Sequence, residues 1–220
     1  MENKTEQPSN NTPYYGNDRQ NMIEFIPENA LKILEVGCAE GKFSSLLIRN
    51  DRELWGVEID EKSAKVAQEK LHKVFVSDFD SIYSQLPKNY FDCVIFNDVL
   101  EHIYAPWETV EKVKSLLSEN GVLVTSIPNI RYITVLLLEI IGKKDFIYRP
   151  EGGILDITHV RFFTSKSILR MFQECGYNVI THKGINACKS WKERLFIFLS
   201  FGLFSDSRYK QFATVSKPVK

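Results

Sequence analysis

The alternation of strand-like and helix-like segments predicts an α/β fold, a doubly wound and mostly parallel sheet with helices on both faces. Three observations carry this. Short β-rich runs end at residues 36, 59, 76, 96 and 127, each separated from the next by a helical segment. Such units imply parallel strands joined by right-handed crossovers. The runs are apolar at both odd and even positions, as strands covered on both faces are. At 220 residues the chain suffices for one domain with a sizeable core, without disulfides or metals.

The elements follow in order. Residues 1–13 are polar and rich in Asn, Gln, Ser and Thr, so they read as a tail outside a single domain at 14–220. A short helix is expected at 18–25, stopped by Pro27. Strands are expected at 31–36, 54–59, 74–76, 91–96 and 121–127. Helices are expected at 42–49, 61–71, 81–86 and 107–117, the last with Val110, Val113, Leu116 and Leu117 on one stripe. Residues 130–163 and 187–207 read as insertions. The first combines a helix at 132–141 with a long connection holding Pro150, Gly152 and Gly153. Long connections in compact domains are usually functional. Thr164 can cap a helix at 165–174 that Gly176 ends, and strands follow at 177–182 and 211–215.

Composition narrows the function classes. Lys+Arg is 28 and Asp+Glu is 28. A net charge of zero disfavours broad electrostatic capture of nucleic acid or anionic membrane, and leaves room for a local basic patch. The four cysteines, Cys38, Cys93, Cys175 and Cys188, are scattered and suit a reduced cytoplasmic setting. No apolar run approaches the roughly 20 residues of a membrane helix, so no integral membrane segment is expected.

In open parallel sheets, ligands bind at the carboxyl ends of strands. The first such end carries Glu35, Gly37, Cys38, Ala39 and Gly41. Gly37 permits a sharp turn, and Gly41 would let a ligand approach the next helix N-terminus, which welcomes anions. An ordinary strand–helix turn also favours glycine, so the loop alone leaves both readings open. The second strand ends at Glu58, Ile59 and Asp60. An acid there can accept both ribose hydroxyls of a nucleoside, while Asp60 fits better as a helix-start acid. At the third strand end, Asp78 suits an adenine amino group with Phe79 packed on the ring, or else it is a helix cap.

Together these motifs resemble the class I S-adenosylmethionine-dependent methyltransferases. The resemblance rests on LEVGCAEGKF at 34–43, GVEID at 56–60, VSDF at 76–79, FDCVIFNDVLEHI at 91–103 and GVLVTSIPN at 121–129. The family's usual glycine loop is G-x-G-x-G, and Ala39 stands at its middle glycine. The resemblance implies a Rossmann-like, seven-stranded sheet with its last strand antiparallel, and S-adenosylmethionine as cofactor. It implies that Glu35, Gly37 and Gly41 line the methionine part, Glu58 the ribose, Asp78 and Phe79 the adenine, and Asn97 the sulfonium side. The 91–103 segment is similar to small-molecule O-methyltransferases of the ubiquinone type. SIPNIRY at 126–132 and ILDITHVRFFT at 154–164 resemble bacterial glycan-biosynthesis members more loosely.

A hydroxyl acceptor needs its proton removed, and there are four histidines. His72 reads as surface and His182 as structural, which leaves His102 and His159 as catalytic candidates. Asp98, Glu101 and His102 share a face if helical, the geometry of a divalent-metal site or of a base with an orienting acid. Ordering of the loop explains them as well, and no metal is expected. Asp156 is expected to orient His159, and Arg161 to bind an anionic group. His159 is preferred over His102 for acceptor contact. Phe196, Phe198, Phe201 and Phe204 are expected to pack in the core. The alternatives for them are a lid, a homodimer face or a surface for a lipid-linked substrate.

The expected function is methyl transfer to a small-molecule acceptor, a hydroxyl of a sugar or glycan precursor. A quinone-type O-methyltransferase and a non-catalytic cofactor-binding module are the alternatives. A nicotinamide dehydrogenase would need G-x-G-x-x-G after the first strand, which this loop lacks.

Overall fold

A computed structural model describes residues 19–143, 148 and 152–219. The expected tail at 1–13 and Pro150 lie outside the described residues. A short 3-10 helix, Gln20–Phe25, precedes the sheet. The strands are β1 Lys32–Val36, β2 Glu53–Glu58, β3 Lys73–Val76, β4 Phe91–Asn97, β5 Leu117–Pro128, β6 Tyr177–Ala187 and β7 Tyr209–Pro218. The helices are α1 Lys42–Ser45, α2 Glu61–Gln68, α3 Phe79–Ile82, α4 Pro106–Val113, α5 Ser165–Glu174 and α6 Trp191–Leu199. A π-helical stretch, Val135–Lys143, opens the first insertion.

The seven strands lie in the order β3-β2-β1-β4-β5-β7-β6. Strands β1 to β5 are parallel, and β7 is antiparallel to both β5 and β6. The chain reverses its lateral direction between β1 and β4, whose carboxyl ends therefore open the crevice where such sheets bind ligands.

Both faces are covered, which explains the two-sided apolar runs. On one face, Phe79, Val110, Phe172 and Tyr177 pack with Leu34, Phe96 and Leu123. On the other, Met22, Phe43 and Ala67 pack with Ile33, Ile95 and Val124. Two caps act as the sequence predicts. Asp60 accepts from the Ser63 N–H at 2.8 Å, and Thr164 forms a reciprocal capping box with Ser167.

Several boundaries shift. α1 stops at Ser45 rather than continuing to 49, and α4 stops at Val113, leaving Leu117 to begin β5. One expectation fails outright: α6 buries none of its residues. Phe198 is 79% exposed and Phe201 is 100% exposed, so these phenylalanines do not pack in the core. The apolar run in 195–204 signalled burial, yet it stands off the sheet, in the connection between β6 and β7.

Candidate functional site

The β1 turn is built on backbone conformation. Gly37, Ala39 and Gly41 have φ of 73°, 47° and 70°. Ala39 therefore adopts the left-handed conformation that glycine takes freely and other residues enter at a cost of about 1–2 kcal/mol. A Cβ on Gly37 would meet Val99 Cγ2 at 2.5 Å, so this loop touches the segment that follows β4. A Cβ on Gly41 would lie 3.4 Å from Ala67 of α2, so this position also brings α1 and α2 close together. Cys38 is buried, filling the space left by Gly56, so its thiol is closed to a ligand. Burial pushes that thiol's pKa up.

Glu35 is buried at the end of β1. Its carboxylate accepts from Ser44 Oγ at 2.6 Å and from Asn97 Nδ2 at 3.3 Å. Burial outweighs these bonds and raises its pKa to about 7. Asn97 keeps a buried Oδ1 with no donor. At the end of β2, Glu58 accepts from the Ala39 N–H at 2.8 Å and the Asp60 N–H at 2.9 Å. It thereby ties the glycine loop to β2, with carboxylate lone pairs left over. Ile59 beside it is 74% exposed. Asp78 is the cap of α3, accepting from both Ser81 N and Ser81 Oγ. Phe79 is buried edge-on against Phe96 rather than open to a ring.

The acceptor-side residues converge. The rings of His102 and His159 lie edge to face with centroids 4.7 Å apart. The backbone N–H groups of Val160 and Arg161 both donate to the Glu101 carbonyl at 3.0 Å. The end of the first insertion is thus strapped onto the turn after β4. His159 Nδ1 lies 2.9 Å from the Ile154 carbonyl, which fixes that nitrogen as the donor and leaves Nε2 facing Glu101 Oε1 at 3.9 Å.

Asp156 does not orient His159. Its carboxylate accepts instead from Thr158 N at 2.8 Å and Thr158 Oγ1 at 2.5 Å, and Thr158 Oγ1 lies 3.1 Å from His102 Nδ1. An Asp-x-Thr turn captures the carboxylate locally before a residue further on can. Glu101 has two buried oxygens without a partner, and burial, with the nearby Asp98 charge second, holds its pKa well above the usual carboxylate range. His102 is lowered by burial and then by His159. Donor atoms of Glu101, His102 and His159 lie within 4.8 Å of one another, a set able to hold a divalent ion. Asp98 supplies no donor atom to that set. It pairs with Arg19 at 2.6 Å, accepts from Ser126 Oγ at 2.6 Å and binds Gln211. Arg19 and Gln211 carried no recognisable signal, because their role exists only once β7 lies beside β5.

Cofactor-loop and acceptor-side residues thus sit at adjoining strand ends, and the comparisons with known proteins decide the family. A model of the methyltransferase domain family matches residues 11–182. The chain belongs to the methyltransferase domain family. This methyltransferase is 25% identical over 173 residues to a ubiquinone biosynthesis O-methyltransferase of Chromobacterium violaceum, covering 74% of this chain and 73% of that one. It is 24% identical over 180 residues to an uncharacterized methyltransferase of Anoxybacillus flavithermus, covering 75% and 82%. Its fold is shared with a SAM-dependent methyltransferase from Archaeoglobus fulgidus, with TM-score 0.70, 19% identity and 90% and 91% of the chains covered. It is shared also with one from Mesorhizobium loti, with TM-score 0.62, 17% identity and 89% and 95% covered.

S-adenosylmethionine is the cofactor that family and fold imply. The residues present fit it. Glu58 is braced with spare acceptor capacity, and the buried Asn97 Oδ1 lacks a donor that a ligand can supply. Among the described residues no helix is long and apolar enough to cross a membrane.

Proposed function

We propose that this methyltransferase acts on a hydroxyl oxygen of a small-molecule acceptor, with the His102–His159 pair receiving the proton. When bound, S-adenosylmethionine would supply a sulfonium-activated methyl to the acceptor oxygen, the C–S bond breaking and the neutral thioether leaving as the O–C bond forms. Glu58 and the turn from Gly37 to Gly41 hold the cofactor, and Asn97 closes its inner side. The acceptor proton passes to His102, the more exposed of the two rings, while Thr158 and Asp156 fix the ring's orientation. His159, held by Ile154 and facing Glu101, positions His102. The observation that carries this reading is the edge-to-face contact of the two rings at 4.7 Å, beside the turn that Gly37 packs against.

Two acceptor classes are favoured by separate observations. A base weakened by burial suits an acidic hydroxyl, and phenols ionise near pKa 10. That supports a phenolic acceptor, in line with the ubiquinone biosynthesis O-methyltransferases among its relatives. The second reading is a sugar hydroxyl in a glycan precursor. Arg161 supports it, since its guanidinium lies 4.5 Å over the Tyr104 ring near the same turn, where it can meet an anionic group. A divalent ion on Glu101, His102 and His159 would serve either acceptor by binding its oxygen.

The test is a methylation assay with S-adenosylmethionine against substituted catechols and nucleotide sugars, read by mass. A gain of one methyl on either class, abolished by His102→Ala, supports the proposal. Turnover that survives both His102→Ala and His159→Ala overturns it.

A further inference from the structure

The segment between β6 and β7 is not accounted for by methyl transfer. Its polarity is divided along its length rather than around a helix. Lys189, Lys192 and Arg194 stand at the start, and residues 195–204 are apolar apart from Ser200 and Gly202. A helix apolar on all sides is ordinarily buried, yet α6 buries nothing. Trp191 is 69% exposed, Phe198 79%, Leu199 60%, Phe201 100% and Leu203 71%. Contiguous exposed apolar surface of this kind marks a docking site.

The root of the segment is nevertheless fixed. Arg131 bonds Asp206 at 2.9 Å and the Leu203 carbonyl at 3.1 Å, and Thr134 bonds Glu193 at 3.2 Å. Those contacts engage both acids between Cys188 and Arg208. The cations Lys189, Lys192, Arg194 and Arg208 have no carboxylate partner among the described residues. Arg194 and Arg208 line a groove together with Trp191, Leu195 and Phe198.

We propose that this segment docks the protein onto an anionic lipid surface, with Phe198, Phe201 and Leu203 entering the interface and the cations lying among the head groups. The charge distribution selects this occupant. A second copy packed on the same face would bring no free carboxylate to these cations, since Glu193 and Asp206 are already engaged, whereas anionic lipid complements them. The length fits as well. Nine helical residues span about 14 Å, less than half of the roughly 30 Å hydrocarbon core, which suits insertion into one leaflet's boundary. Trp191 stands among the cations, and tryptophan favours the head-group level of an interface.

The docking face also looks the right way. β6 and β5 are both antiparallel to β7, so β6 runs with the parallel strands. The connection leaving β6 therefore rises from the carboxyl edge that carries Gly37 and the two histidines. A bilayer held there can deliver an amphiphilic acceptor. That extension rests on the proposed function, while the docking does not.

The experiment is co-sedimentation of the full chain with vesicles of phosphatidylcholine alone or mixed with phosphatidylglycerol, without cofactor or acceptor. Binding is expected to the mixed vesicles and to fall at least tenfold in Phe198→Ser/Phe201→Ser and in Lys192→Glu/Arg194→Glu. Unchanged S-adenosylmethionine affinity serves as the control for folding. In the wild type, tryptophan emission should shift to the blue on mixed vesicles, and Trp191→Phe should lose that shift. Wild-type protein that stays in the supernatant with both vesicles overturns the proposal. So does a wild-type dimer in sedimentation velocity that the Phe198→Ser/Phe201→Ser variant abolishes.

Discussion

His102 and His159 stand edge to face, 4.7 Å between centroids, although one follows β4 and the other closes the first insertion. In the proposed mechanism one ring accepts the proton and the other supports it. Burial lowers the pKa of His102, and a charge on His159 lowers it further. An imidazole must be neutral to accept a proton. kcat/KM is therefore expected to rise with pH through a midpoint below the ordinary imidazole value of about 6.5. His159→Gln removes the neighbouring charge and should move that midpoint upward. His102→Ala should lower turnover by about 10²–10⁴-fold, the usual worth of a positioned acid–base group. A pH–rate profile of the three proteins checks both expectations, and a midpoint unmoved by His159→Gln contradicts the coupling.

The cofactor side can be tested at Glu58, which holds two backbone N–H groups and to which the proposal gives the ribose. Glu58→Ala removes the acceptor and releases Ala39 and Asp60. S-adenosylmethionine affinity is expected to fall at least tenfold, about 1.4 kcal/mol, by calorimetric titration. Glu58→Gln keeps one acceptor oxygen and should fall between the two. Equal affinity in wild type and Glu58→Ala contradicts the ribose assignment.

These two sides were unequally legible. The strand-end acids and the glycine turn were readable because each is local: a strand, a turn and a helix start lie within about ten residues, and short-range geometry fixes them. The acceptor side depends on long-range packing. His102 and His159 read as competing bases, since nothing in sequence brings residues 102 and 159 together. The preference of Asp156 for Thr158 over His159 is a local bond that an Asp-x-Thr spacing could have suggested. Arg19, bound to Asp98 across the β5–β7 edge, had no local signal at all. The phenylalanines after Arg194 read as core because apolar runs usually are, and only the structure shows Phe198 and Phe201 exposed.

The glycine turn offers a stability test. Ala39 sits at φ 47°, where a side chain costs about 1–2 kcal/mol and glycine costs little. Ala39→Gly is expected to stabilise the protein by roughly 0.5–1 kcal/mol, part of the relief being lost to the looser unfolded chain. Gly37→Ala should do the reverse, since it combines φ 73° with a contact of 2.5 Å to Val99. Val99→Ala in that background should recover the contact but not the backbone strain. Urea denaturation of the four proteins separates the two contributions, and a neutral Gly37→Ala contradicts the packing of this turn on the β4 segment.

Stability against pH follows from buried groups of opposite sign. Burial lowers His182 from 6.5 to about 4, in a strand where it stacks on Phe212 and bonds Ser165 and Thr214. The unfolded chain takes up that proton first, so the contribution of His182 is present above pH 6.5 and is lost as pH falls toward 4. His102, also lowered by burial, adds to it. Glu35 does the opposite. Its pKa rises from 4.5 to about 7, so the folded state holds a proton the unfolded chain has released. That contribution is complete below pH 4.5 and disappears as pH rises through 7. Glu101, raised by burial, has the same sign. The two pairs oppose each other across one window, so wild-type stability should vary little between pH 4.5 and 6.5. Glu35→Gln keeps an acceptor for Ser44 while removing the titration, and its stability should then fall more steeply on acidification than that of the wild type. His182→Gln should do the converse, losing stability as pH rises. Urea midpoints across the window check both slopes, and parallel curves for the wild type and both variants would show that neither group titrates differently in the folded protein.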